Sequence, residues 1–134
     1  MTVLSSGELP LKSDHEIVIA RQAVRRMTQQ LSFSLVDQTK FVTAASELAR
    51  NALIYGGGGT LEWEILDSPP RRGLRLTFTD NGPGIPNLDL ALTDGWTSGN
   101  GLGMGLTGAR RLVNEFEIDS KVGEGTRVRV TRWK

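Results

Sequence analysis

Three groups of residues in this 134-residue chain have the types and spacing to do chemistry. Asp80 opens the segment DNGPGI, Asp80 to Ile85, at the end of a run from Leu74 to Thr79 whose apolar side chains fall on even numbers. Strand side chains alternate faces, so Asp80 shares the inward face with Leu74, Leu76 and Phe78 and stands where the pattern calls for a hydrophobe. An ionised carboxylate in such a place is costly unless a donor meets it in the folded or ligand-bound state. Gly82 and Gly84 remove side chains beside it and leave room for a close approach. An Asp-Asn-Gly turn capping its own backbone is the competing reading. Glu47 and Asn51 form the second group, one helical turn apart on a single face; an ordinary exposed polar pair has the same spacing. The third is Gly103-Met104-Gly105-Leu106-Thr107-Gly108, a G-x-G-x-x-G run that carries little information alone.

Together these groups fit a nucleotide. A dinucleotide fold needs a strand immediately before the glycines and a second parallel strand bearing an acid further on, and here a glycine loop precedes and a hairpin follows. There is also no G-x-x-x-x-G-K-[ST]. What remains is a glycine loop opening a helix, whose free amides and positive dipole end suit phosphate. That dipole is worth only about half a charge, too little to offset a polyphosphate. A cation must therefore help, and Mg²⁺ prefers oxygen ligands completed by water and phosphate. Asn51 offers such an oxygen and Glu47 can orient water or take a proton. Asp80 would accept from an exocyclic amine, Gly82 and Gly84 would admit the base, and the loop Gly99 to Gly108 would wrap the phosphates.

The elements that must position these groups follow from periodicity and capping. Residues 1–7 read as an untied terminus and Glu8 to Lys12 as a short edge strand. Ser13 and Glu16 form a capping box, after which Ile17, Ala20, Val24, Met27 and Leu31 mark one helical stripe. His15, the only histidine, lies in the first turn without partners for a phosphoacceptor or metal role. A second helix begins near Ser34, buries Phe41, Ala45, Leu48, Ala52 and Tyr55, and ends at Gly56 to Gly59. Thr60 to Leu66 alternates as a strand, and Asp67 to Gly73 reads as an exposed hairpin loop leading into Leu74 to Thr79. Residues 86–100, with Trp96 at the middle, show no period. A third helix after Gly105 carries Leu106, Ala109, Leu112 or Val113, and Phe116, and a hairpin, Ile118 to Val122 and Thr126 to Val130, ends the chain. Strands with one apolar face and one bearing Glu62, Glu64, Arg75, Thr77, Arg127 and Arg129 predict an α/β two-layer sandwich: a mostly antiparallel mixed sheet with helices on one face.

The length fits one domain over 1–134. Sixteen Lys and Arg against fifteen Asp and Glu leave a net charge of +1, which gives no broad field for nucleic acid or an anionic membrane. The absence of cysteine excludes disulfides, thiol chemistry and cysteine-ligated zinc. No span of about 20 apolar residues and no signal-like start occurs, so a soluble, cytoplasmic protein is expected.

In order along the chain, ELARN (Glu47 to Asn51), DNGPGI (Asp80 to Ile85), GNGLGMG (Gly99 to Gly105) and GEGT (Gly123 to Thr126) resemble the motifs of the ATPase and kinase superfamily of gyrase, the ninety-kilodalton heat-shock chaperone, histidine kinases and MutL. The chain from about Leu11 to Trp133 is similar to the bacterial anti-sigma regulatory serine/threonine kinases of partner-switching pathways, particularly the RsbT-like group, through ARQAVRRM, VDQTKFVTAASELARN, DGWTSGNGLGMGL, ARRLVNEF and VGEGTRVRVTRW. The resemblance implies a Bergerat-type ATP-binding fold with ATP and Mg²⁺ as cofactors. It implies Asn51 as the magnesium ligand, Asp80 on the adenine amine, Gly84 against the purine, Thr126 on the base directly or through water, and Gly101, Gly103 and Gly105 at the phosphates. It extends the nucleotide-contacting set to Gly82, Ile85, Gly99, Leu102, Met104 and Leu106. Glu47 becomes a general base toward a serine or threonine of a small STAS-domain antagonist, with release to a partner phosphatase, or a sigma factor, as the output. The alternative is an anti-sigma-type module that holds a partner under nucleotide control without productive transfer. A histidine kinase would need a dimerisation helix bearing a phosphoacceptor His, and gyrase or MutL work would need further domains.

Overall fold

The computed structural model describes residues 1–92 and 102–134, with side chains for all of these except Leu90 and residues 102–105. Trp96, Gly99 and Gly101 lie outside the described residues. The order is β1 (Thr2–Leu11), α1 (Asp14–Gln30), α2 (Leu35–Ile54), β2 (Gly59–Ser68), β3 (Arg71–Asp80), α3 (Leu88–Ala91), α4 (Leu102–Arg111), β4 (Glu115–Lys121) and β5 (Gly125–Trp133). The strands form one sheet in the order β1-β2-β3-β5-β4. All four described pairings are antiparallel, so the mixed element of the expected sheet is not among them.

The helices start where their caps require. Ser13 accepts from the Glu16 amide at 3.2 Å, while the Glu16 carboxylate reaches back to the Lys12 amide at 2.6 Å, one residue earlier than the standard box. Ser34 accepts from the Asp37 amide at 3.1 Å. Ile17, Ala20, Val24 and Met27 of α1 and Phe41, Ala45, Leu48 and Ala52 of α2 bury into one cluster with Leu61, Leu74, Leu76, Phe78, Val128 and Val130 of the sheet. That shared core is the interior of a two-layer sandwich. The other sheet face carries the Arg75–Glu64 pair at 2.8 Å.

Four expectations are corrected. Residues 1–7 are not an untied terminus: β1 pairs with β2 from Thr2 opposite Asp67 to Leu11 opposite Gly59. Its residues are mostly exposed, so the strand is held by its ladder and has little hydrophobic alternation to betray it. The hairpin loop shrinks from Asp67–Gly73 to Pro69 and Pro70, because Ser68 already pairs with Arg71. Phe116 belongs to β4, since α4 ends at Arg111. Within the region expected to lack period, α3 forms one short turn of helix.

Candidate functional site

One row of side chains crosses the open end of the sheet on its helix-covered face. Asp80 of β3 is registered with Thr126 of β5, and Thr126 with Ser120 of β4. Directly opposed residues share a face. Below the row lie Phe78, Val128 and Ile118 of the same three strands. Above it, α2 brings Asn51 and Tyr55, and a cleft forms whose walls include Asn51, Tyr55, Asp80, Ile85, Leu106 and Thr126. The expected meeting of Asn51, Asp80, Ile85, Leu106 and Thr126 is therefore present.

Asp80 has no cationic partner among the described residues. Its Oδ1 accepts from the Gly82 amide at 2.9 Å, the Asx-type contact expected of a plain turn. Burial nevertheless pushes its carboxyl above the ordinary carboxylate value, opposed by the amides of Gly82 and Thr126. A carboxylate offers about four acceptor sites, so two amides leave it capacity for another donor. In the same cleft the Asn51 side-chain nitrogen is buried and has no hydrogen-bond partner among the described residues. A half-turn exchanges the two ends of an amide, so this orphaned position offers either a donor or an oxygen ligand. Among the described residues no cluster of three His, Cys, Asp or Glu could hold a metal. An ion there must draw most of its ligands from phosphate and water, which is how Mg²⁺ is usually held. The residues present fit that ion.

The glycines also admit the protein's own backbone. A Cβ on Gly82 would lie 2.6 Å from the Gly56 Cα, and one on Gly84 would lie 2.2 Å from the Lys121 carbonyl oxygen. Their vacant side-chain positions are filled by the protein's own backbone, which closes the DNGPGI loop against the end of α2 and the β4–β5 hairpin. Gly84 also needs its φ of 76°, and its carbonyl accepts from the Tyr55 hydroxyl at 3.1 Å. Gly56 is required for the same reason: its Cβ would fall 2.4 Å from the Asp80 Cγ. The four-glycine run after Tyr55 thus seats α2 directly on the carboxylate.

Glu47 is exposed and outside the cleft walls, one turn before Asn51 on α2. Leu102, Gly103, Met104 and Gly105 begin α4, and their side-chain surroundings are not described. Sequence reasoning missed Ser120, whose hydroxyl accepts from the Ile85 amide at 2.8 Å and lies 2.8 Å from the Thr126 hydroxyl. The signal was available: Phe116, Ile118 and Ser120 alternate as Leu76, Phe78 and Asp80 do, with a polar group ending an inward apolar series. Tyr55 was read only as core.

Residues 36–134 match the family model described as histidine kinase-, DNA gyrase B-, and HSP90-like ATPase. The chain is 40% identical over 123 residues to the serine/threonine-protein kinase RsbT of Bacillus subtilis, covering 92% of each chain. It is 34% identical to an anti-sigma F factor of Clostridium kluyveri, over 87% of this chain and 84% of that one. The structure of the RsbU and RsbW domains of a Mycobacterium tuberculosis protein superposes with a TM-score of 0.64 at 19% identity, over 96% of this chain and 32% of that one. The mycobacterial sensor histidine kinase MprB superposes at a TM-score of 0.56 and 18% identity, over 96% and 97% of the two chains, and shows the same fold. By the extent of the family match and the coverage of its relatives, this chain belongs to the histidine kinase-, DNA gyrase B- and HSP90-like ATPase family.

Proposed function

We propose that the protein is an ATP-dependent serine/threonine protein kinase that phosphorylates a small STAS-domain antagonist in a bacterial partner-switching pathway and, once released, activates a partner phosphatase. The observation that carries this reading is that one cleft has in its walls the half-buried Asp80 carboxylate and Asn51, whose side-chain nitrogen has no hydrogen-bond partner among the described residues. Similarity to RsbT over nearly the whole chain supports the choice of a protein substrate. Asp80 accepts a hydrogen from the purine amine, with Thr126 beside it. Asn51 supplies one oxygen to the magnesium ion that neutralises the ATP phosphates when bound. Gly103 and Gly105, at the start of α4, are assigned to the phosphates together with Gly99 and Gly101, which precede them in the sequence. In this reading Glu47, exposed on the same helix as Asn51, takes the proton of an incoming serine or threonine hydroxyl as its oxygen attacks the γ-phosphorus and ADP leaves. The setting is the cytoplasm, with neither nucleic acid nor membrane as partner.

The test is transfer of labelled γ-phosphate to candidate STAS proteins with Mg²⁺ present. Glu47→Ala should reduce transfer by roughly 10²- to 10⁴-fold, the usual worth of a general base, with ATP affinity retained. Unchanged transfer in that variant removes the base assignment, and no labelling by wild type removes the kinase reading. The second reading, a nucleotide-gated module that sequesters a partner such as a sigma factor, is favoured by the similarity to anti-sigma F factors. It predicts partner affinity that differs between ATP and ADP without phosphate transfer.

A further inference from the structure

We propose that Ser120 is a specificity-positioning residue: it sets the direction of the Thr126 hydroxyl proton and so makes the end of the cleft a pair of acceptors for an amino group. This rests on the purine-site reading given above. A serine hydroxyl has one proton and two lone pairs. One lone pair is already taken, because the Ile85 amide donates to it at 2.8 Å. Two contacts remain, the Gly125 carbonyl oxygen at 3.2 Å and the Thr126 hydroxyl at 2.8 Å. The carbonyl can only accept. If Ser120 gives its proton to Gly125, Thr126 donates to the second lone pair and all three contacts are bonds. If Ser120 donates to Thr126, the bond to Gly125 is lost and the Thr126 proton must find another acceptor. The first arrangement forms one bond more at a site where Gly125 is buried.

With its proton committed to Ser120, Thr126 presents only lone pairs to the cleft it lines with Asp80. The two residues are cross-strand partners, so a carboxylate and a hydroxyl acceptor stand side by side. An exocyclic amine has two hydrogens and can satisfy both, directly or through one water. Ser120 is not in the walls of this cleft, although with Asp80 and Thr126 it lines an adjoining hollow of about 300 Å³, and the effect proposed for it runs through Thr126 and the Ile85 amide.

The experiment measures affinity for ATP and for purine riboside triphosphate, which lacks only the 6-amino group, in wild type, Ser120→Ala and Ser120→Thr. The ratio of the two constants isolates what the amine contributes. Wild type should favour ATP. Ser120→Ala should lower that preference by roughly threefold to tenfold, the range for one hydrogen bond, by weakening ATP while leaving the deaminated analogue unchanged. Ser120→Thr, which keeps the hydroxyl, should retain the wild-type ratio. An Ala variant that weakens both nucleotides equally shows Ser120 to be structural only and overturns the proposal, as does an unaltered ratio with unaltered affinities. Wild type that binds neither nucleotide, or both alike, instead overturns the underlying purine-site reading and the role of Ser120 with it.

Discussion

The helix-covered sheet face carries a charged residue at each end, and the two ends are treated in opposite ways. Arg132 continues the inward series Val128, Val130 on β5 just as Asp80 continues Leu76, Phe78 on β3. The arginine is answered by the protein: it donates to the Asp37 carboxylate at 2.6 Å and to the Leu112 carbonyl at 2.9 Å, although its buried Nε lacks a partner among the described residues. Asp37 is held below its ordinary value mainly by that hydrogen bond. Among the described residues Asp80 is answered only by amides of its own loop and of Thr126, and burial pushes its carboxyl up. One end is a clamp joining the start of α2 to the chain after α4. The other is a carboxylate left with spare capacity beside a cleft. Position in the pattern is the same for both, and partnership separates a structural charge from one available to a ligand.

The contrast can be tested through stability, where the two ends should differ most. Arg132→Ala leaves a carboxylate and a carbonyl without their donor, and should cost about 2–3 kcal/mol in denaturant unfolding. Its effect on ATP affinity should be slight, and a large loss of affinity with intact stability would erase the distinction between the ends. Gly56→Ala forces a methyl into the space of Asp80 and the end of α2. We expect a loss of about 1–3 kcal/mol, the usual cost of overpacking, together with weakened nucleotide binding; a variant normal in both would show that α2 does not need that close approach.

Acid titration should sharpen the comparison with a smaller effect. The folded pKa of Asp37 is depressed, so the stability it supplies is complete above its ordinary value of 3.8 and is lost as pH falls through the depressed value. Glu64, lowered by Arg75 from 4.5, behaves the same way. Asp80 has the opposite sign. Its folded pKa is raised, so the folded state holds the proton more tightly, and a penalty develops as pH rises from 3.8 through the raised value. Urea unfolding of wild type and Asp80→Asn should therefore coincide at low pH and diverge above it, with the variant slightly more stable at neutrality. A variant that is clearly less stable at pH 7 would make Asp80 a structural residue like Arg132.

Much of this was legible from alternation and caps. Ser13, Ser34 and the stripes of α1 and α2 announced the helices, and the even-numbered series ending at Asp80 announced the carboxylate. What stayed hidden depends on long-range pairing. β1 is a largely exposed strand whose evidence lies in the backbone of β2. Ser120 acquires meaning only when register sets it against Thr126, and Gly56 only when α2 is seated on Asp80. The close approach by backbone from distant segments that Gly82 and Gly84 permit was hidden for the same reason. The single-domain reading over 1–134 is compatible with one sheet and one shared core.

The most direct measurement is a calorimetric titration of wild type and Asp80→Asn with ATP in the presence of magnesium. Replacing an acceptor-only carboxylate by an amide removes a charge-assisted bond worth about 1.5–3 kcal/mol, so affinity should fall by roughly tenfold to a hundredfold while the variant stays folded. Equal affinity in the two proteins would mean that the unpaired acid at the strand end does not recognise the base.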